Sequence, residues 1–469
     1  MIRCSWVVRL SVFVLCGAVS CSSGSSDTPG TSATGGSSGG GGTTAPAGGT
    51  GGAGTVTPPG GTGGGTVTPP NPDGGAAGGA GGVMTMPGSG KHGSLKFTRK
   101  DLNRLNLAEA STFGDYNKDG HVDVLSGPYW WEGPTFDKYH QLDTPDCTPA
   151  TPNACNCYTC TSQGDWANFS YDVDGDGWTD AIRVSRPGNP TYWFKNPGTP
   201  TVGTDAKWTK GLIGTLSWEQ VAFADMAGKG VPGLVGVANG SFGWFDPGPT
   251  APWTWHMVGG GAGGLWVHGI GAGNIDGQMD YIDHEGWWSP PAAGPTSGAW
   301  THHAYAFGDG SQMFAYDVNG DGQADVVASL AAHGYGVAWF EQKNGTFTKH
   351  DIVGGPGAMN PGGIASFSQP HDLLLIDMDG DGLKDIVTGK SWYAHPPPTD
   401  PGAADTPVFY VFKLIRDAQN NVTWEPHLVD MEVGLGKGGL SATDFNEDGL
   451  MDLAVGCKHG VFLFLQQPE

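Results

Sequence analysis

An all-β fold, a β-propeller of seven four-stranded blades, is what this sequence predicts, on three observations. The phrase Asp-x-(Asp/Asn)-x-Asp-Gly-x-x-Asp recurs along the chain. Aromatic and His-bearing strand patterns recur in step with it. The domain's first strand pattern matches the one missing from its last unit.

The elements follow in chain order. Arg3 and Arg9 form a basic start before a short apolar run, Leu10 to Val19, too short to span a bilayer as a permanent helix. Ala18-Val19-Ser20-Cys21 resembles a lipobox. Residues 1–21 therefore read as a lipoprotein signal, with Cys21 acylated; an ordinary secretory signal is the alternative. The expected location is exported and lipid-anchored, at the outer membrane or cell surface, with the membrane touched through the anchor alone. Residues 22–92 are mostly Gly, Ser, Thr, Ala and Pro, with almost no charge or large apolar side chains, and bury too little to offset ordering the backbone. They read as a tether with a reach on the order of 45 Å. Residues 93–469 suffice for one propeller, expected to be monomeric.

Acidic residues number 46 against 23 basic, a formal charge of −23, which argues against a nucleic-acid partner. Of eight cysteines, Cys147, Cys155, Cys157 and Cys160 cluster in one polar insertion. In an exported chain they predict two disulfides with three pairings open, or a zinc knuckle. Cys457, alone in an apolar strand, predicts a buried thiol.

The phrase stands intact at 115–123, 172–180, 317–325, 377–385 and 444–452. Worn copies, DMAGKGVPG at 225–233 and NIDGQMD at 274–280, bring the units to seven. Each unit offers a short run before the first Asp, the loop, an apolar run such as DIVTG at 385–389, an aromatic run such as VAWFEQ at 337–342, and a fourth run such as FTKHDI at 347–352. The last unit stops after its third run at Gln466. FTRKDL at 97–102 aligns with FTKHDI, so the N-terminal segment should be the outer strand of the last blade, closing the ring.

Loop positions 1, 3, 5 and 9 present oxygen side chains, position 7 a carbonyl, and position 6 is Gly for the turn. Several hard oxygens on one flexible loop suit Ca²⁺ better than Mg²⁺. The expected ligands are Asp115, Asn117, Asp119 and Asp123; Asp172, Asp174, Asp176 and Asp180; Asp317, Asn319, Asp321 and Asp325; Asp377, Asp379, Asp381 and Asp385; and Asp444, Asn446, Asp448 and Asp452. That makes about five structural calcium sites. In the third unit Ala227, Lys229 and Gly233 replace ligands, and Lys229 is expected to stand in for the cation. These motifs resemble the FG-GAP/VCBS repeat family over about 93–469. The resemblance implies an integrin-type propeller with calcium between the first and second strands of a blade.

The opposite rim is where the units differ. Six residues before each first Asp, or its equivalent, stand Glu109, Trp166, Glu219, His268, Ser311, His371 and Gly438. Two Glu and two His at one level form a metal or acid/base constellation. His268, His371, Glu109, Glu219 and Lys390 are the candidate catalytic residues, with an additional divalent metal at the mouth. Arg186, His284, Glu285, His333, Lys390, Lys458 and His459, just past the second strands, should cluster there too. His256, His303, His350 and His427, each three residues after Trp or Phe, read as scaffold that hydrogen-bonds a neighbouring strand.

HGIGAG at 268–273, HEGWW at 284–288 and HDLLLIDMDGDGLKDIVTGKSWYAH at 371–395 are similar to bacterial exported FG-GAP proteins, and through them to the propeller of aldos-2-ulose dehydratase. That resemblance implies a keto-sugar lyase in which a cation at His268/His371 polarises the sugar carbonyl. The chain has no cupin or lectin domain after the propeller. Two functions follow. One is a surface binding module for glycan or protein, using rim aromatics among Tyr129, Trp130, Trp131, Trp287, Trp288 and Trp392, at least half of which are expected in the blade core. The other is a carbohydrate lyase working at the mouth.

Overall fold

A computed structural model describes residues 91–144, 165–198, 207–261, 267–392, 394–395 and 397–469. Every described residue lies in the compact unit Gly65–Glu469. The signal, Cys21, nearly all of the tether and the four clustered cysteines lie outside the described residues. No described helix is long and apolar enough to cross a membrane.

The described chain is strands joined by loops, with a single 3₁₀ turn at Pro361–Gly363. Strand β1 (Gly93–Asn103) opens it. The first meander is β2 (Thr112–Gly114), β3 (Asp123–Ser126), β4 (Tyr129–Trp131) and β5 (Tyr139–Gln141). The second is β6 (Ala167–Tyr171), β7 (Asp180–Val184), β8 (Pro190–Lys195) and β9 (Thr209–Thr215). The third is β10 (Ala222–Ala224), β11 (Gly233–Ala238), β12 (Ser241–Asp246) and β13 (Thr254–Gly260). The fourth is β14 (Ile270–Gly273), β15 (Asp280–Asp283), β16 (Gly286–Ser289) and β17 (Thr301–Ala304). The fifth is β18 (Gln312–Tyr316), β19 (Asp325–Ser329), β20 (Val337–Lys343) and β21 (Thr346–Val353). The sixth is β22 (Leu373–Ile376), β23 (Asp385–Gly389), β24 (Phe409–Arg416) and β25 (Val422–Asp430). Strands β26 (Leu440–Thr443), β27 (Asp452–Cys457) and β28 (Gly460–Pro468) end the chain.

Within each meander neighbouring strands pair antiparallel. The first and second strands are buried on both faces, as LLLI in β22 and DLAVGC in β27, so they read as continuous small or apolar runs. The outer strands are largely open to water, as TFTKHDIV in β21, where only Phe347, Ile352 and Val353 are buried. β1 pairs antiparallel with β28, from Gly93↔Pro468 to Asn103↔Val461. The last sheet thus takes its outer strand from the N-terminal segment, in the register that FTRKDL implied.

The sheet count departs from seven separate sheets. Among the described residues five four-stranded sheets stand alone, and β14–β21 form one eight-stranded sheet. The cause is local. β14 and β18 pair in parallel through Ile270↔Gln312 and Gly271↔Met313. Gly271 permits it, since a Cβ there would lie 2.0 Å from the Met313 carbonyl oxygen.

The core is distributed between sheets. One apolar cluster joins Leu374, Val387 and Val411 of the sixth meander to Leu440, Leu453 and Phe462 of the last sheet. Another joins Phe113, Val124 and Trp131 of the first meander to Ala454 and Leu463 of the last sheet and to Phe445 of its loop. Ser111 N–H donates to the Gly439 carbonyl at 2.9 Å across that same junction. Cys457 is fully buried, its Sγ 3.3 Å from the Val433 carbonyl, and burial pushes the thiol up to about 12.

Candidate functional site

The Asp/Gly loops join the first and second strands of each meander, so all lie at one end of the sheets. Their carboxylates first organise their own backbone. The position-1 carboxylate accepts the N–H groups of positions 5 and 6. In the sixth loop Asp377 takes Asp381 N–H at 3.2 Å and Gly382 N–H at 2.9 Å. Position 9 is buried and accepts one N–H from position 2 and one from the third strand. Asp385 takes Met378 and Leu414, Asp180 takes Val173 and Asn196, and Asp452 takes Phe445 and Gln466. Burial pushes Asp123 and Asp385 up to about 8, and Asp180, Asp325 and Asp452 up to about 7. This staple between loop and third strand is invisible in the repeat, which shows position 9 only as a possible ligand.

The loop donors fit a hard cation. Oxygens of Asp172, Asp174 and Asp180 lie within 4.8 Å of one another, as do those of Asp377, Asp379 and Asp385. Asp174 Oδ1 is buried without a hydrogen-bond partner. In the worn third loop Lys229 Nζ donates to Asp246 Oδ2 at 2.9 Å.

At the opposite end the residues before the first strands and after the second strands converge. His268 precedes β14, His371 precedes β22 and His333 follows β19. Their ligand nitrogens lie within 4.8 Å of one another. The Nε2 atoms of His268 and His333 are 3.3 Å apart. His371 is fully buried and its Nε2 has no partner. Carboxylates stand behind two of the rings: Asp309 Oδ1 is 3.6 Å from His268 Nδ1, and Asp400 Oδ2 is 3.1 Å from His333 Nδ1. Carboxylates in that place orient ligating imidazoles and raise their basicity. Gln220 Nε2 lies 3.3 Å from His371 Nδ1.

Glu219 Oε2 lies 3.5 Å from His268 Nε2 and accepts from Lys437 Nζ at 3.0 Å. Burial alone would raise the Glu219 carboxyl, but Lys437 and His268 outweigh it and hold it at about 2. Burial first, then the charges of Lys437 and His268, drives His371 well below the usual imidazole range. Burial would lower His268 as well, but Asp309 and Glu219 raise it. Three converging imidazoles without sulfur suit a borderline divalent cation such as zinc.

Sequence reasoning thus named His268, His371, Glu219 and His333, and the structure brings them together. Two other candidates engage elsewhere. Glu109 is buried with its Oε2 3.6 Å from Lys458 Nζ, and Lys390 Nζ donates to the carbonyls of Ser391 and Trp392. Burial brings the Lys390 amine down to about 8. The other residues of the level line the centre: Lys437 Nζ sits 3.8 Å over the Trp166 ring, and Ser311 Oγ meets Ser329 Oγ at 2.9 Å. Lys437, Gln220, Asp309 and Asp400 were missed, since none lies at a repeated position; a Lys within the Gly run GLGKGG was the available signal.

Half of the six aromatics lie in the core, as expected. Trp130, Trp131 and Trp287 are core residues, because alternation turns them between sheets, while Tyr129, Trp288 and Trp392 remain half-buried. Trp392 and His459 wall a cavity of about 330 Å³ with Pro407 and Met431, and their rings lie 3.9 Å apart. Three of the fourth-strand histidines stack on tryptophans, His256 on Trp244, His303 on Trp287 and His350 on Trp339. His303 and His350 also meet Ser289 and Glu341 of the adjacent strand.

Residues 317–388 match the FG-GAP-like repeat family model. No curated protein matches the chain. Among solved structures it is similar to an Agrocybe aegerita lectin that recognises non-reducing terminal N-acetylglucosamine, at 15% identity over 80% of this chain and 86% of that one, TM-score 0.40. It is similar to BBS1N, solved in complex with ARL6DN, at 10% identity over 81% and 97%, TM-score 0.42. The V. cholerae biofilm matrix protein Bap1 matches at 17% identity over 57% and 40%, TM-score 0.29.

Proposed function

We propose that this FG-GAP-like propeller is an exported, lipid-anchored binding module. It takes a glycan or protein ligand at its channel mouth, around a divalent transition metal held by His268, His333 and His371. One observation carries the reading: three imidazoles converge, two are backed by carboxylates, and the buried His371 Nε2 has no protein partner. A buried polar atom without a partner is costly unless something outside the chain satisfies it. Glu219 is engaged by Lys437, so the imidazoles are the ligand set. His333, the one half-buried ring, faces the side from which a ligand would approach. When bound, the metal would supply a Lewis acid for a ligand oxygen. The half-buried Trp392 beside the 330 Å³ cavity offers an apolar platform for a sugar face.

The scaffold belongs to the same proposal. Seven meanders, with the eight-stranded sheet taken as two blades, close through β1 and β28. The five intact loops hold calcium. Cys21 carries the lipid. Support for the ring comes from apolar clusters that join neighbouring meanders, including the first and last.

The test is elemental analysis of the purified protein beside His333→Ala. One zinc, manganese or iron per chain, lost in the variant, supports the metal site. Its absence from the wild type after incubation with each metal refutes it. The second reading, a carbohydrate lyase, is favoured by the same half-buried His333, which would leave one side of a metal toward the mouth. Keto-sugar turnover that disappears in His371→Ala would select it.

A further inference from the structure

We propose that Lys195 and Lys413 are built-in cations of the second and sixth loops. Their ammonium groups take the position-3 and position-5 carboxylates that calcium would use. These two loops therefore hold calcium more weakly than those opening at Asp115, Asp317 and Asp444. The inference rests on the calcium reading of the loops.

The contacts are specific. Lys195 Nζ donates to Asp174 and, at 2.7 Å, to Asp176 Oδ2. Lys413 Nζ donates to Asp379 and lies 3.1 Å from Asp381 Oδ2. The sheet register sets the placement. Ala181 pairs with Phe194 and Ile386 with Phe412, so each Lys stands opposite position 9, where a third-strand side chain overhangs the loop. The same register places Glu132, Glu341 and Leu465 in the other intact units, none of them a cation.

The loop sequence changes in step. Position 3 is Asp174 and Asp379 where the Lys is present, and Asn117, Asn319 and Asn446 where it is not. At ligand positions 1, 3, 5 and 9, four Asp with one overhanging Lys carry the same formal charge as three Asp with one Asn. The worn third loop mirrors the arrangement: its cation is Lys229 at position 5, and its partner Asp246 stands opposite position 9. What differs between the two kinds of intact loop is occupancy of the ligand oxygens. Calcium entering the second or sixth loop must displace or share an ammonium, a like charge at ligand distance.

The experiment is equilibrium dialysis with radioactive calcium on the metal-stripped full chain. Wild type is expected to show two classes, three tighter sites and two weaker, at least roughly tenfold apart. Lys195→Met/Lys413→Met should merge them into one tight class. If that pair fails to fold, Asn319→Asp/Glu341→Lys moves the device into the fifth loop and should leave two tight sites and three weak. Melting in EDTA is an independent readout: the Lys→Met pair should melt lower than wild type, because four carboxylates then face one another without a counter-charge. Five equal sites in wild type, or classes unmoved by either pair, would overturn the inference while leaving calcium binding intact. No calcium bound at all would overturn the reading beneath it.

Discussion

Asp385→Ala should destabilise the propeller even with no metal present. Asp385 is fully buried and accepts Met378 N–H at 3.0 Å and Leu414 N–H at 2.9 Å. Alanine leaves both amides unpaired in a dry junction. Each buried donor left unmade costs about 1–3 kcal/mol, so the expected loss is about 2–6 kcal/mol. The control is Asp381→Ala. That carboxylate is partly exposed, accepts Leu383 N–H at 2.9 Å and pairs with Lys413, so its loss should cost about 1 kcal/mol or less. The assay is urea unfolding in excess EDTA, followed by tryptophan fluorescence. A position-9 Asp that served calcium alone would leave the two variants equal in EDTA. Equal midpoints would refute the staple.

Three further predictions are as direct. Lys390 is fully buried and its folded value, about 8, lies below the free-lysine value of 10.5. The native state therefore binds fewer protons than the unfolded chain between those values, and stability rises with pH across that window. Relative to Lys390→Met, wild type should gain about 2–3 kcal/mol from pH 8 to 10.5, and parallel pH profiles would refute this. Gln466 Oε1 accepts Leu95 N–H, and its Nε2 donates to the carbonyls of Met378 and Met451. Gln466→Leu should cost about 2–4 kcal/mol and raise hydrogen exchange in β1 first. Gly271→Val, whose Cβ would strike the Met313 carbonyl, should lower the melting temperature by several degrees; an unchanged value would contradict the close parallel pairing.

Repeated features were the legible ones. The four-stranded meanders follow from the spacing of the Asp/Gly phrase, and the pairing of β1 with β28 follows from the match of FTRKDL to FTKHDI. The merging of β14 with β18 was not legible, because it depends on an approach allowed by a single glycine. At the mouth, counting back from the loops found His268, His371 and Glu219, since one strand period fixes their level. Lys437 and Asp400 reach the centre from irregular connections whose course no periodicity encodes. Which of the six aromatics would lie in the core was not legible, because alternation shows which residues share a face, but not which face meets the next sheet.

The most direct measurement is an anomalous difference map from a crystal of the metal-loaded protein, collected on both sides of the zinc absorption edge. The account predicts one peak about 2.0–2.1 Å from nitrogens of His268, His333 and His371. A channel with no peak there, while the loops carry theirs, would contradict it.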